Sequence, residues 1–159
     1  MLLLGYDIGS SSVKAALLDG HSGKSIAVAH YPKMEMNIVA KKAGWAEQHP
    51  ETWWEALRMA TKELLTKAGN IDKSAIKSIG IAYQMHGLVL IDRDQRGLRP
   101  SIIWCDSRAV DIGREALERL GKEKCLSHLL NSPGNFTASK LKWVQENEPF
   151  IYEKVRKIL

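Results

Sequence analysis

Residues able to do chemistry gather in three short stretches of this sequence, the first being GYDIGSSSVK at positions 5–14. A Gly9-Ser10-Ser11-Ser12 turn would present backbone N–H groups to an anion at a distance only small residues allow, with hydroxyl donors beside them and Lys14 as a point charge. Asp7 adds a hard oxygen ligand suited to holding Mg²⁺ through water. Together these groups could grip the phosphates of a nucleotide. A hairpin whose Asp and Ser side chains only satisfy turn backbone would use the same residues, and spacing alone does not separate the two.

The second stretch, Gln84-Met85-His86-Gly87, interrupts an apolar run. Its amide and imidazole could hydrogen-bond a polyol, with Met85 covering an apolar edge and Gly87 permitting close approach. The third is Trp104-Cys105-Asp106-Ser107-Arg108. Trp104 could wall a sugar pocket and Asp106 accept hydroxyls, yet Asp106 also suits a helix cap and Trp104 a core position. Trp45, Trp53 and Trp54 fit packing better than an aromatic cage.

The elements that must position these groups follow from periodicity. Leu2 to Tyr6, Val13 to Leu18 and Ser25 to Tyr31 are apolar runs of strand length, joined by turns too short for crossovers, which predicts a three-stranded antiparallel meander. His49-Pro50-Glu51-Thr52 opens a helix, with Thr52 and Glu55 at capping-box spacing. Trp54, Leu57, Thr61, Leu64, Leu65 and Ala68 form its expected apolar face, and Gly69-Asn70 stops it. Ile76 to Tyr83 has the pattern of a buried strand, followed by Leu88 to Ile91, a turn at Asp94 to Gly97, and Ile102 to Cys105. Asp106 or Ser107 is placed to cap a helix over Arg108 to Leu120, ended by Gly121. Thr137 to Asn147 predicts another helix, stopped before Pro149, and Phe150 to Leu159 carries no terminating signal. The expected fold class is α/β: a mixed sheet that begins with the meander and continues in strand-helix units.

Length, charge and composition narrow the function classes. The chain has 159 residues and 45% hydrophobic content, which suits one compact domain with a real core. Its 23 basic and 18 acidic residues give a net charge of +5, but Lys and Arg are dispersed. The densest groups, Lys140 with Lys142 and Lys154 with Arg156 and Lys157, fall in helix-like stretches and are expected on solvated faces, so nucleic acid is not an expected partner. Cys105 and Cys125 lie in no CxxC or Cys/His metal spacing, which fits a reduced cytoplasmic chain. MLLLGYD lacks the basic region of a signal peptide, and no apolar stretch is long enough to cross a bilayer, so no membrane association is expected. Asn135-Phe136-Thr137 matches a glycosylation acceptor that a cytoplasmic chain would not use. Gly23-Lys24-Ser25 resembles the end of a P-loop, but Leu18 occupies the required glycine position; no G-x-G-x-x-G is present.

Taken in order, YDIGSSSVKAALLD, GWAEQHPETWW, IGIAYQMHGLVLID, LRPSIIWCDSR and FTASKLKWVQENEP resemble the N-terminal part of the FGGY carbohydrate kinases, with QMHG resembling the xylulokinase branch. The resemblance implies the actin-like ATPase fold, related to ribonuclease H, with MgATP and a sugar as ligands. By position, Asp7 matches the family's metal- and phosphate-organising aspartate, acting on the metal through water. Gly9, Ser10, Ser11 and Lys14 match the hairpin facing the ATP phosphates. Met85 and His86, with Gln84 beside them, match the sugar contacts, and Trp104 and Asp106 match the edge of the sugar pocket. Departures from the family pattern are Ser10 in place of Thr, Ser12 in place of a smaller residue, His49 in place of a capping Asp, and PGNFTA in place of PGFTA.

Family members are two-domain chains several times longer, with the catalytic base aspartate and the adenosine pocket in later sequence. Residues 1–159 are therefore expected to be part of the N-terminal kinase domain and inactive alone, with homodimerisation open for the full-length protein. The implied activity is phosphorylation of D-xylulose to D-xylulose 5-phosphate. Kinases for ribulose, gluconate, rhamnulose or glycerol, and a non-catalytic sugar-binding module of the same fold, are the alternatives.

Overall fold

The computed structural model describes residues 1–159. The chain divides into two compact units: Met1–Asn37 with Glu51–Gln84, and Ile38–Pro50 with Met85–Leu159.

The first unit is built on a four-stranded sheet. β1 (Leu2–Ile8), β2 (Val13–Asp19) and β3 (Ser25–Tyr31) form the expected antiparallel meander. The chain then returns through α1 (Pro50–Ala68) to β5 (Ile76–Tyr83), which pairs parallel to β1 and gives the order β3-β2-β1-β5. The short turns permit only antiparallel pairing, and the helical crossover permits the parallel one.

Leu4, Val13, Ala15, Leu17, Ala27 and Ala29 bury one sheet face against Ala56, Ala60 and Leu64 of α1. The alanines on both surfaces let helix and sheet approach closely, while burial of a side chain such as Leu17 stabilises by about 1.5–3 kcal/mol. Tyr6 and Thr61 add a polar tie, their hydroxyls 2.8 Å apart. Thr61 donates its proton to the Leu57 carbonyl at 2.7 Å, so Tyr6 donates to Thr61. On the exposed side of α1, Glu63 meets both Lys33 and Lys67 at 2.8 Å, and hydrogen bonds from these lysines hold its carboxyl down at about 2.

Three expectations for this unit need correction. Pro50 is already helical, so Thr52 lies inside the first turn rather than at the cap. Trp54 is 63% exposed, because the buried face is set by Ala56, Ala60 and Leu64 and passes through Trp53 instead. β5 has the predicted bounds but is exposed along most of its length, since it is the last strand of its sheet. Its register with β1 puts Ile79, Ile81 and Tyr83 on the same face as Leu4, Tyr6 and Ile8.

The second unit contains two small antiparallel pairs. β4 (Glu47–Gln48) pairs with β7 (Ser101–Ile102), and β6 (Leu90–Ile91) with β8 (Lys157–Ile158). The strands predicted over Leu88 to Ile91 and Ile102 to Cys105 thus shrink to two residues each. Helices α2 (Val110–Leu120), α3 (Lys122–Leu129), α4 (Thr137–Asn147) and α5 (Pro149–Tyr152) complete it. Leu88, Leu90, Ile102 and Val144 form its core, with Leu141, Trp143 and Ile151 against them.

α3 carries no periodic signal strong enough to predict it. α2 starts at Val110 after Ala109, with no side-chain cap, so neither Asp106 nor Ser107 has the expected capping role. Gly113 of α2 meets the turn Pro133–Asn135 so closely that an added Cβ would lie 2.1 Å from Gly134 Cα. Neither backbone can yield cheaply, so Gly113→Ala is expected to cost about 2–4 kcal/mol in urea unfolding, far beyond the gain in helix propensity.

Candidate functional site

At the carboxyl end of β1, the chain reverses through Gly9–Ser12 and re-enters the sheet at Val13. Gly9 N–H donates to the Ser12 carbonyl at 3.1 Å, and a Cβ at Gly9 would sit 3.1 Å from that oxygen, which explains a glycine at this tight reversal. Ser11 is fixed from outside the hairpin, its carbonyl accepting from Met36 N–H at 2.8 Å. Asp7 and Lys14 are cross-strand partners, and Lys14 Nζ lies 3.2 Å from Asp7 Oδ2. Both side chains are more than half exposed. A solvated pair of this kind holds little energy, so either partner is available to a ligand at small cost.

Gln84 joins this end of the sheet. Its N–H donates to the Ile8 carbonyl at 3.1 Å, extending the β1–β5 ladder by one residue beyond Tyr83. Both amide atoms of its side chain are buried without a hydrogen-bond partner. Buried polar groups are nearly always paired, so this amide is open to a water or a ligand group. Asp7, the Gly9–Ser12 turn, Lys14 and Gln84 therefore meet at the carboxyl ends of two parallel strands, where open α/β sheets bind their ligands.

The Asp7 carboxylate fits a magnesium ion held mainly by water and phosphate oxygens, which needs only one or two protein oxygens. The chain has no cluster of three or more His, Cys, Asp or Glu side chains that would instead form an all-protein cage.

In the second unit, Met85 is exposed and His86 half-buried, the latter with φ of 60°. The His86 ring stacks on Phe136 with centroids 4.6 Å apart. The next carbonyl, of Gly87, accepts from Thr137 Oγ1 at 2.9 Å, and the His86 carbonyl accepts from Lys140 Nζ at 2.6 Å. Lys140 also donates to the Ile103 carbonyl at 3.0 Å, directly before Trp104. Trp104 is 47% exposed, and its carbonyl accepts from the Asn135 amide. The turn that departs from the family pattern thus packs onto both loops named in the sequence.

Asp106 differs from its expected place at an open pocket edge. It is 1% exposed, and its two oxygens accept from Ala46 N–H at 2.6 Å, Arg108 N–H at 2.9 Å and the Arg108 guanidinium at 2.7 Å. Arg108 continues to Glu47 at 2.8 Å, and Glu47 to Arg99, which also meets Glu148 at 3.0 Å. The Arg108 guanidinium lies 3.8 Å from the centre of the Trp45 ring and 4.9 Å from that of Trp143. Asp106 here holds a buried ionic network together, while Trp104, Cys105 and Ser107 of the same stretch are exposed.

Lys140 is the largest revision. Expected on a solvated face, it is fully buried, and burial pulls its ammonium down to about 8. The available signal was its place one turn before Val144 on the inward side of α4, among Ser139, Lys140 and Val144. Charge class alone pointed the other way.

Residues 2–159 match the model of the FGGY family of carbohydrate kinases, N-terminal domain, and the chain belongs to that family. It is 37% identical to the xylulose kinase of Escherichia coli K12 across 158 residues, which is 99% of this chain and 31% of that protein. The crystal structure of a xyloylose kinase from Brucella ovis superposes with a TM-score of 0.83 at 39% identity, covering 100% of this chain and 32% of that one. A gluconate kinase from Lactobacillus acidophilus gives a TM-score of 0.83 at 25% identity over 99% of this chain and 31% of its own. These neighbours are sugar kinases of the actin-like ATPase fold, in agreement with the expected fold class. The chain spans about a third of the length of the relatives it matches. No helix is long and apolar enough to cross a membrane.

Proposed function

We propose that this chain supplies the phosphate-handling hairpin and the sugar loops of an ATP-dependent kinase that converts D-xylulose to D-xylulose 5-phosphate in the cytoplasm. The observation that carries this reading is the meeting of Asp7, the Gly9–Ser12 turn and the orphaned Gln84 amide at the carboxyl ends of β1 and β5. Similarity to xylulose kinases supports the choice of sugar.

Phosphoryl transfer asks a protein mainly to position reactants and neutralise charge. Gly9, Ser10 and Ser11 would offer N–H and hydroxyl donors to phosphate oxygens. Lys14, released from Asp7, would neutralise charge on the transferring group, and Asp7 would orient the water shell of a magnesium ion. An ion held there would supply positive charge to offset that of the phosphates. Gln84, Met85 and His86 would hold the sugar, with Trp104 and Asp106 at the pocket edge, the latter through the backbone it fixes. The proton acceptor for the sugar hydroxyl, and the adenosine pocket, are assigned to a further domain outside these residues.

A substrate panel tests the reading. The full-length gene product is expected to phosphorylate D-xylulose with kcat/KM at least about tenfold above D-ribulose, D-gluconate, L-rhamnulose and glycerol. The 159-residue chain alone should release no ADP in the same coupled assay. Preference for another sugar overturns the substrate, while sugar-dependent ADP release by the short chain overturns the division of labour.

A further inference from the structure

We propose that Lys140 is a positioning residue that holds the Met85–Gly87 loop and the Trp104 turn in one fixed arrangement, an inference that rests on the reading of these loops as sugar-binding. A buried ammonium is costly, and this one makes no hydrogen bond to a carboxylate. It donates instead to two main-chain carbonyls, of His86 at 2.6 Å and Ile103 at 3.0 Å, which lie 54 and 37 residues away along the chain. Those carbonyls immediately precede Gly87 and Trp104. One ammonium therefore carries the tie between the two loops beyond the Leu88–Ile102 bridge, where backbone pairing between them ends.

The geometry at His86 explains why such a tie is needed. A φ of 60° is unfavourable for a residue with a Cβ and persists only where the surroundings over-determine it. Three neighbouring residues of one segment do so: Phe136 stacks on the ring, Thr137 holds the next carbonyl, and Lys140 holds the carbonyl of His86 itself. A methionine at 140 would fill similar space but donate no hydrogen bond. The charges facing Lys140 are Asp106 and Arg108, with the Cys105 thiol as a further titratable neighbour.

Lys140→Met is the test. In the 159-residue chain, the amide resonances of Met85–Gly87 and of Trp104 are expected to shift together while those of the β1–β2 hairpin stay in place. In the full-length protein, KM for D-xylulose should rise about 30-fold, with kcat changed less than about threefold and KM for ATP unchanged. A variant that loses thermal stability but keeps both loop resonances, or keeps the KM of the sugar it phosphorylates, overturns the proposal. If the unsubstituted enzyme ignores D-xylulose, the functional reading fails instead, and the loop resonances together with KM for its actual sugar decide the role of Lys140.

Should the variant not fold, the chain with Lys140 intact decides the matter. In a Cys105→Ser background, which removes the adjacent thiol and its raising effect on Lys140, the amides of Gly87 and Trp104 are expected to titrate with one common midpoint below the ordinary lysine range. Separate midpoints, or none, overturn the coupling.

Discussion

Asp7→Asn in the full-length protein is expected to reduce phosphorylation of D-xylulose by about 10³-fold in kcat, with KM for the sugar nearly unchanged. Asparagine keeps the size and one oxygen of the side chain but removes the charge that would orient a metal's water shell, and loss of one preorganised electrostatic group at a charge-developing centre costs about 10²–10³ in rate. The fold is not the target of this substitution. Asp7 is more than half exposed and paired only with an exposed lysine, so urea unfolding of the 159-residue chain should move by less than about 0.5 kcal/mol. A kcat within tenfold of the starting enzyme would remove Asp7 from the phosphoryl-transfer machinery and return it to a turn-forming role.

Arg108→Met is expected to have the largest effect on stability. The guanidinium is the shared partner of Asp106 and Glu47, both buried, and it packs in the corner formed by two perpendicular indoles. Removing it leaves Asp106 without a cationic partner and Glu47 with Arg99 alone, and breaking a buried pair on one side costs about 3–5 kcal/mol. Denaturant unfolding of the second unit should lose that amount. Adding Asp106→Asn to Arg108→Met should recover part of it, because the orphaned charge is then neutral. A double variant no more stable than the single one would show that the indole stacking, not the ionic network, carries the contribution of Arg108.

Much of the first unit was legible because its signals are local. The hairpin turns leave antiparallel pairing as the only choice, and the bounds of β3 and β5 follow from runs of apolar residues between turn residues. What sequence could not supply was the partner across each face. β5 has the composition of an interior strand but ends its sheet, and Trp54 and Trp53 differ only in which of them the alanine stripe of α1 turns inward. In the second unit the elements are short and held by long-range polar contacts, so Asp106 resembled a helix cap although its partner, Ala46, is 60 residues away. Lys140 shows the same limit, since its residue type predicts water and only the fold provides two carbonyls.

The last strand of the sheet also governs how this chain can be handled. Beyond Lys77, the segment Ser78–Tyr83 carries no charge and no proline, and Ile79, Ile81 and Tyr83 all lie more than half exposed beside a row of unpaired backbone groups. Such a segment is a template for adding further strands, and natural sheets blunt it with lysine, proline or a bulge. The isolated 159-residue chain is therefore expected to be most prone to self-association along this six-residue ribbon, a tendency that a net charge of +5 spread over the sequence does not offset locally.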